Sequence, residues 1–182
     1  SINQADVIAR SLGHYSVYQC KYGIESLNQR LPILRKQGNA FLAAPRVHGE
    51  RFHYFEKGIK RLIIELELAD CAVFLVHLSL KYRHRHTQLQ HLHDLVVASQ
   101  KPVIIAGDFN TPEHSHQIQH VRSFWQDTFR EIHEHGSATT HEIRWPWGAA
   151  ILSHRLDYIF LQPGLPGWQV LDVSHVDAPE GE

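Results

Sequence analysis

A carboxylate and a carboxamide follow directly after an apolar stretch of the sequence, where a strand is expected to end. The stretch is 103–106, and Gly107 then leads into Asp108 and Asn110. A glycine lets the backbone turn sharply, so both polar side chains project from the edge of a sheet. Asp108 offers anionic oxygens that suit Mg²⁺ or hold a water, and Asn110 offers an oxygen and an N–H that contact a phosphate. The alternative is a strand end at which both side chains only cap the backbone.

Two further polar residues interrupt apolar strand patterns. His77 lies within the apolar run 72–80, where a buried ring is costly unless it has a hydrogen-bond partner or reaches a site at the end of the strand. Asp157 alternates with Tyr158 and Phe160, so it lies on the opposite face of its strand. It either faces solvent on an edge strand or orients a catalytic imidazole.

Hydrophobic periodicity predicts the elements that must position these residues. A helix closed by Gly13 is expected over 2–12, and a second helix, opened by a capping box at Thr87 and Gln90, ends before Pro102. A loop is expected from 45 to 58, and 23–37 is ambiguous. The remaining expectations are strands over 15–19, 41–44, 64–68, 72–80, 103–106 and 155–161, and a helix over about 115–130. Half-buried 64–68 pairs with 72–80 as an antiparallel hairpin, which indicates an α/β (α+β) sandwich and not a doubly wound parallel sheet.

Taken together, these motifs resemble the endonuclease/exonuclease/phosphatase superfamily of metal-dependent phosphoesterases, which includes exonuclease III-like and deoxyribonuclease I-like nucleases. The resemblance rests on G-N-A-F-L at 38–42, G-I-K-R-L at 58–62, V-H-L at 76–78, G-D-F-N at 107–110 and R-L-D-Y-I-F at 155–160. It implies one domain over 1–182, an incomplete four-layer α/β sandwich of largely antiparallel or mixed sheets with flanking helices.

The resemblance also implies a role for each candidate residue. Asp108 would orient or deprotonate the attacking water, and Asn110 would bind the phosphate or a metal-bound water. His77 would contact the scissile phosphate, and Asp157 would hold a histidine in the right tautomer. The implied cofactor is Mg²⁺, with Mn²⁺ as a substitute, on Asp108 and Asn110. The implied activity is hydrolysis of a phosphodiester or phosphomonoester, of nucleic-acid, phospholipid or inositol phosphate type, by in-line attack of water.

Two family motifs have no counterpart in this sequence. Family members carry a Q-E pair in their N-terminal strands, whose Glu is the principal Mg²⁺ ligand, and an S-D-H triplet near their C-terminus. The resemblance implies that both lie just outside the chain, and the absence of methionine, even at position 1, also indicates a piece of a longer protein. We therefore expect the chain alone to be almost inactive. Alternatively, Ser174 and His175 are a degenerate S-D-H, in which case Asp157 lies beside His175.

Composition narrows the class of protein further. The chain has 182 residues, a formal charge of −1 and 43% hydrophobic residues, which suits one domain without a strong field for nucleic acid or an anionic membrane. We expect this domain to be a monomer. No run is long enough to span a membrane. Cys20 and Cys71 are far apart, which favours a reducing compartment such as the cytoplasm, although a signal peptide could precede Ser1.

Several residues leave other functions open. The 16 histidines include the pairs His84 and His86, His91 and His93, His114 and His116, and His133 and His135, so a His-rich metal-binding protein is one alternative. A non-catalytic binding or scaffold domain of the same fold is another. Trp145 and Trp147 either stack on a substrate or anchor a loop. Basic residues that either line a phosphate groove or face solvent are Arg46, Arg51, Lys57, Lys60, Arg61, Lys81, Arg83 and Arg85.

Overall fold

The computed structural model describes residues 4–20, 38–44, 46–55, 62–136, 138–144, 146–148, 150–164 and 167–175. In these ranges the helices are α1 (Gln4–Leu12), α2 (Tyr82–Ala98), α3 (His116–Arg122) and α4 (Thr128–Ile132). The strands are β1 (Tyr15–Cys20), β2 (Gly38–Ala43), β3 (Gly49–Tyr54), β4 (Leu62–Glu67), β5 (Ala72–His77), β6 (Val103–Asp108), β7 (Gln126–Asp127), β8 (His141–Arg144), β9 (Ala150–His154) and β10 (Asp157–Leu161).

A mixed six-stranded sheet forms the centre of the fold. Its strand order is β3-β4-β5-β6-β10-β7. β5 and β6 are parallel neighbours joined by α2, and the other pairs are antiparallel. Two smaller sheets are the pairs β1-β2 and β8-β9. This arrangement confirms the predicted α/β class with mixed sheets and the β4-β5 hairpin.

Hydrophobic side chains pack on both faces of the central sheet. On one face, Phe74 and Ile105 pack with Leu92 of α2 and Ile118 of α3. On the other face, a second apolar cluster includes Val17 of β1 and, from the central sheet, Ile64, Leu66, Val73, Leu75 and Ile104. Because apolar groups cover both faces, β5 is continuously hydrophobic up to His77.

The prediction that β4 is half-buried was wrong. All five residues 62–66 are buried, including Glu65. The Glu65 carboxylate is compensated by β3, where Arg51 ion-pairs with it and His53 Nε2 lies 2.6 Å from Oε2. The sequence predicted a loop where β3 lies, because residues 45–58 are rich in His, Gly and Arg. Pairing with β4 and the charge of Glu65 make it a strand instead.

Two helix boundaries also differ from the sequence-based predictions. α2 begins at Tyr82, five residues before the predicted capping box, and Thr87 Oγ1 donates to the carbonyl of Arg83 inside the helix. The helix predicted over 115–130 is instead α3 and α4, separated by β7. The break occurs because β7 pairs with β10, which a helical backbone could not do. The β8-β9 hairpin was not predicted from the sequence.

A cluster of buried charges ties α3, β7 and α4 to the start of β10. Arg155, 5% exposed, donates to both carboxylate oxygens of Asp127, with the closest pair at 2.7 Å. Arg122 also donates to Asp127, at 2.6 Å, and Arg130 donates to Oε2 of Glu113 at 2.7 Å. Hydrogen bonds from Arg130 and then Arg122 lower the pKa of Glu113 to about 2. This carboxylate therefore stays ionised in the folded chain under mildly acidic conditions.

The low pKa of Glu113 predicts a specific loss of stability in acid. Because the folded pKa is depressed from 4.5 to about 2, its contribution is complete above pH 4.5 and disappears as the pH falls through about 2. The contribution is about 3 kcal/mol. Glu113→Gln should flatten the pH dependence of unfolding over this window, measured by urea titration at several pH values. Glu131→Gln, which removes an exposed carboxylate from α4, should retain the parental pH dependence; equal slopes in both variants would contradict the prediction.

Candidate functional site

Sheet register brings three of the predicted site residues together. In the parallel pair β5-β6, His77 lies opposite Asp108, and in the antiparallel pair β6-β10, Asp108 lies opposite Asp157. The three residues therefore occupy adjacent positions in one row across the sheet. The row lies where β5 and β6 end and β10 begins, so its side chains stand at one edge of the fold.

Strand alternation puts this row on the face that carries the Val17 cluster. His77 follows Val73 and Leu75 at every second position of β5, and both of those residues belong to that cluster. Asp108 follows Ile104 in the same way on β6. The intervening residues pack towards the helices, so the polar row is on the side of the sheet opposite α2.

His77 and Asp108 are in direct contact. Nε2 of His77 lies 3.0 Å from Oδ2 of Asp108, and the two side chains are 34% and 29% exposed. Partial exposure leaves room for a substrate, while the contact orients the imidazole. A carboxylate against one ring nitrogen favours the tautomer in which that nitrogen is the hydrogen-bond donor. The predicted histidine thus has its hydrogen-bond partner at the strand end, and it is not an isolated core residue.

Asn110 completes a compact polar group around Asp108. Its backbone N–H donates to Asp108 Oδ1 at 2.7 Å, and its Nδ2 donates to Asp108 Oδ2 at 3.1 Å and to the carbonyl of Leu78 at 2.8 Å. Asn110 has φ +48°, a region that asparagine tolerates better than most residues. The capping interpretation therefore describes part of the geometry. The Asn110 side chain also ties the end of β6 to the segment after β5.

Sequence and structure comparisons relate this chain to known proteins. A sequence model described as the Endonuclease/Exonuclease/phosphatase family matches residues 4–178. The chain belongs to this family. Members of the family are generally hydrolases of phosphoester bonds and generally use divalent metal ions. Comparison with curated proteins finds no match.

Solved structures of the same fold are distant in sequence. A 3'-5' exonuclease (NExo) from Neisseria meningitidis shares 16% identity with a TM-score of 0.62, over 88% of this chain and 71% of that one. The human Nocturnin catalytic domain with bound sulfate shares 15% identity with a TM-score of 0.59, over 89% of this chain and 65% of that one. A family protein from Leptotrichia buccalis shares 18% identity, with a TM-score of 0.62, over 87% and 65%. This chain thus spans less than two thirds of the length of some of its structural neighbours.

Gly107, in the family motif at 107–110, has a steric reason to be glycine. Its φ is +138°, and a Cβ there would lie 2.0 Å from the carbonyl oxygen of Val76 on β5. A side chain would push β5 and β6 apart at the point where His77 meets Asp108. We expect Gly107→Ala to lower the free energy of unfolding by about 3 kcal/mol, measured by urea denaturation.

Gly136 provides a matched control for this substitution. Its φ of +105° is also unfavourable for alanine, but its Cβ would meet no atom within 4 Å. Gly136→Ala should therefore cost about 1 kcal/mol, the part due to backbone strain. Similar losses in the two variants would contradict the steric role assigned to Gly107.

Asp157 does not have the histidine partner that the alternative S-D-H assignment requires. Both Asp157 and His175 are among the described residues, and no hydrogen bond joins them there. The His175 ring instead stacks on Phe129 at a centroid distance of 4.8 Å. Thr140, which the sequence did not single out, accepts hydrogen bonds from the backbone N–H groups of Leu156 and Asp157. It fixes the start of β10, and no motif signalled this role.

The other sequence candidates are less well placed. Trp147 is 72% exposed, so it does not anchor its loop by burial, whereas Trp145, Lys57, Lys60 and Arg61 lie outside the described residues.

Within the described ranges, no three His, Cys, Asp or Glu residues form a cluster that could hold a metal ion. Cys71 is a buried free thiol. No described helix has the length and apolar character needed to cross a bilayer.

Proposed function

We propose that this chain is the catalytic domain of a metal-dependent phosphoesterase that hydrolyses a phosphodiester or phosphomonoester by in-line attack of water. The observation that carries the proposal is the contact of His77 with Asp108 beside Asn110, at the strand ends of a family fold. Hydrolysis of a phosphoester needs an oriented water, hydrogen-bond donors on the phosphate oxygens and neutralisation of the developing charge. The first two requirements correspond to groups in this polar row.

Each side chain has a distinct task in the proposed reaction. Asp108 holds the attacking water in line with the phosphorus and accepts a proton from this water. His77, oriented by its contact with Asp108, contacts an oxygen of the phosphate. Asn110 keeps Asp108 oriented through two hydrogen bonds. Asp157 lies opposite Asp108 in the β6-β10 register and would orient a catalytic imidazole, which is not among its partners in the described residues.

The donor chemistry of this row fits a divalent cation of the magnesium type. Mg²⁺ in proteins takes oxygen ligands, commonly one or two carboxylates, and fills its remaining positions with water and substrate phosphate. Asp108 and the Oδ1 oxygen of Asn110 would hold it, and Mn²⁺ would substitute. The ion supplies positive charge to the phosphate oxygens and the leaving group. A complete protein cage is not required for this role.

The site residues indicate the type of reaction, and a structural neighbour indicates which substrate to test first. One structural neighbour is described as a 3' phosphatase bound to product DNA hairpin. A DNA 3'-phosphate is therefore the first substrate to test beside a generic ester. The formal charge of −1 provides no strong field for tight duplex binding, so affinity for DNA should depend on local contacts at the end of the strand.

The proposed function is tested by hydrolysis assays with and without metal. The translation product that contains this chain is incubated with bis(p-nitrophenyl) phosphate and, separately, with a DNA hairpin carrying a 3'-phosphate. We expect hydrolysis with Mg²⁺, loss after EDTA and recovery with Mn²⁺. Hydrolysis that EDTA does not change would overturn the metal dependence. No hydrolysis of either ester would overturn the phosphoesterase and support a non-catalytic domain of the same fold.

A further inference from the structure

A buried arginine without an acidic partner lies near the candidate site. Arg85 is the fourth residue of α2 and is 8% exposed, and none of the described carboxylates forms an ion pair with it. Burial lowers the pKa of its guanidinium. A positive charge near a helix N-terminus is also unfavourable. Since burying an unpaired charge is costly, the hydrogen bonds of Arg85 must compensate for it.

These hydrogen bonds hold the segment that follows β5. Nη1 of Arg85 donates to the carbonyls of Ser79 and Leu80, each at 2.9 Å, and Nε donates to Oε1 of Gln117 at 2.8 Å. Oε1 of Gln88, one helical turn further along α2, accepts from the backbone N–H of Ser79 at 2.8 Å. Side chains of α2 thus bind the backbone of residues 79–80, which follow the end of β5.

The same segment is bonded to the candidate site on its other side. The N–H of Leu78 donates to the carbonyl of Asp108 at 2.8 Å, and Nδ2 of Asn110 donates to the carbonyl of Leu78 at 2.8 Å. His77 is the residue immediately before this segment. The segment 78–80 therefore connects Arg85 with the contact between His77 and Asp108 through backbone hydrogen bonds.

We propose that Arg85 is a positioning residue, which holds the segment 78–80 so that His77 contacts Asp108. An arginine suits this task because its planar, forked group reaches two carbonyls and a carboxamide at once. A lysine at this position retains the charge but cannot form the same set. The catalytic consequence rests on the proposed function, whereas the positioning of the His77 ring does not.

The positioning role is tested by NMR on this chain in solution. Arg85→Met should shift the ¹⁵N signal of His77 Nε2. It should also raise the amide hydrogen-exchange rate of Leu78 by a factor at least about ten times larger than the factor measured for amides of β3 and β4. Arg85→Lys should give a smaller shift of the same kind. If the methionine variant does not fold, the lysine variant is measured in its place. Val96→Ala, a buried apolar truncation on the same helix, should leave the His77 signal unchanged.

The NMR outcomes either support or overturn the proposal. An unshifted His77 signal in a folded Arg85 variant, or an equal shift in Val96→Ala, would overturn it. If the parent hydrolyses phosphoesters, Arg85→Lys should also lower kcat about tenfold with KM nearly unchanged, because a positioning residue acts through its partner. A parent without activity would overturn the proposed function and leave the NMR result on Arg85 standing.

Discussion

Replacing Asp108 with alanine is expected to lower kcat for phosphoester hydrolysis by about a thousandfold. The carboxylate contacts His77, accepts two hydrogen bonds from Asn110 and lies next to Asp157 in register. In the proposed reaction, its loss would remove the proton acceptor for water and one oxygen ligand for the metal, and it removes the carboxylate that contacts the His77 ring. The measurement is steady-state hydrolysis of bis(p-nitrophenyl) phosphate by the parent and the variant under saturating Mg²⁺.

Two further variants separate chemistry from structure in this experiment. Asp108→Asn retains an acceptor for the backbone N–H of Asn110 but loses the charge, so it should be nearly as inactive as the alanine variant while unfolding close to the parent. Asp70→Ala removes an exposed carboxylate from the turn between β4 and β5 and should retain full activity. A parental rate in Asp108→Ala would refute the role assigned to Asp108.

Replacing Arg155 with methionine is expected to lower the free energy of unfolding by about 4 kcal/mol. Arg155 donates to both oxygens of Asp127, whose side chain is 4% exposed, and its guanidinium lies 4.4 Å from the Tyr158 ring centroid. Methionine fills a similar volume, but within the described residues it leaves Arg122 as the cation that still pairs with Asp127. The cost is therefore that of a buried carboxylate with part of its compensation removed. Urea denaturation at neutral pH measures it.

Arg83→Met is the matched control for this variant. Arg83 is exposed on α2 and forms no ion pair within the described residues, so the same substitution there should change stability by less than about 0.5 kcal/mol. A loss below about 1 kcal/mol for Arg155→Met would show that the buried cluster contributes little. The two results together separate the cost of breaking the cluster from the general effect of removing an arginine.

These expectations divide the family motif R-L-D-Y-I-F between structure and chemistry. Arg155 binds the buried carboxylates, and the Tyr158 hydroxyl donates to backbone carbonyls of Thr111 and Arg155, each at 2.9 Å. Phe160 packs in the core against Phe109 of the G-D-F-N motif. Asp157 points to the opposite face and is the residue of this motif that belongs to the candidate site. Most residues of the motif therefore stabilise the fold around β6 and β10.

The order of polar residues and apolar strands was predictable from sequence because both are local properties. Alternation over 155–161 predicted β10 with its buried and exposed faces, and the continuous run over 72–80 predicted β5. Gly107, Asp108 and Asn110 follow β6 directly, so their position at a strand end required no tertiary information. Recognition of the family rested on the same local motifs.

Tertiary structure decided which of these local features meet. The register of β5, β6 and β10 places His77, Asp108 and Asp157 in one row, and no single segment contains that register. Glu65 shows the same dependence, since its burial follows from charges on β3, a strand that periodicity alone does not indicate. Side-chain periodicity reports which face of an element is apolar, but the partner that covers or compensates that face lies elsewhere in the chain. Long-range strand pairing therefore brings separate polar residues together in a candidate site. Long-range contacts also place Arg85 beside the segment next to that site and Arg155 in the charge cluster beside β10.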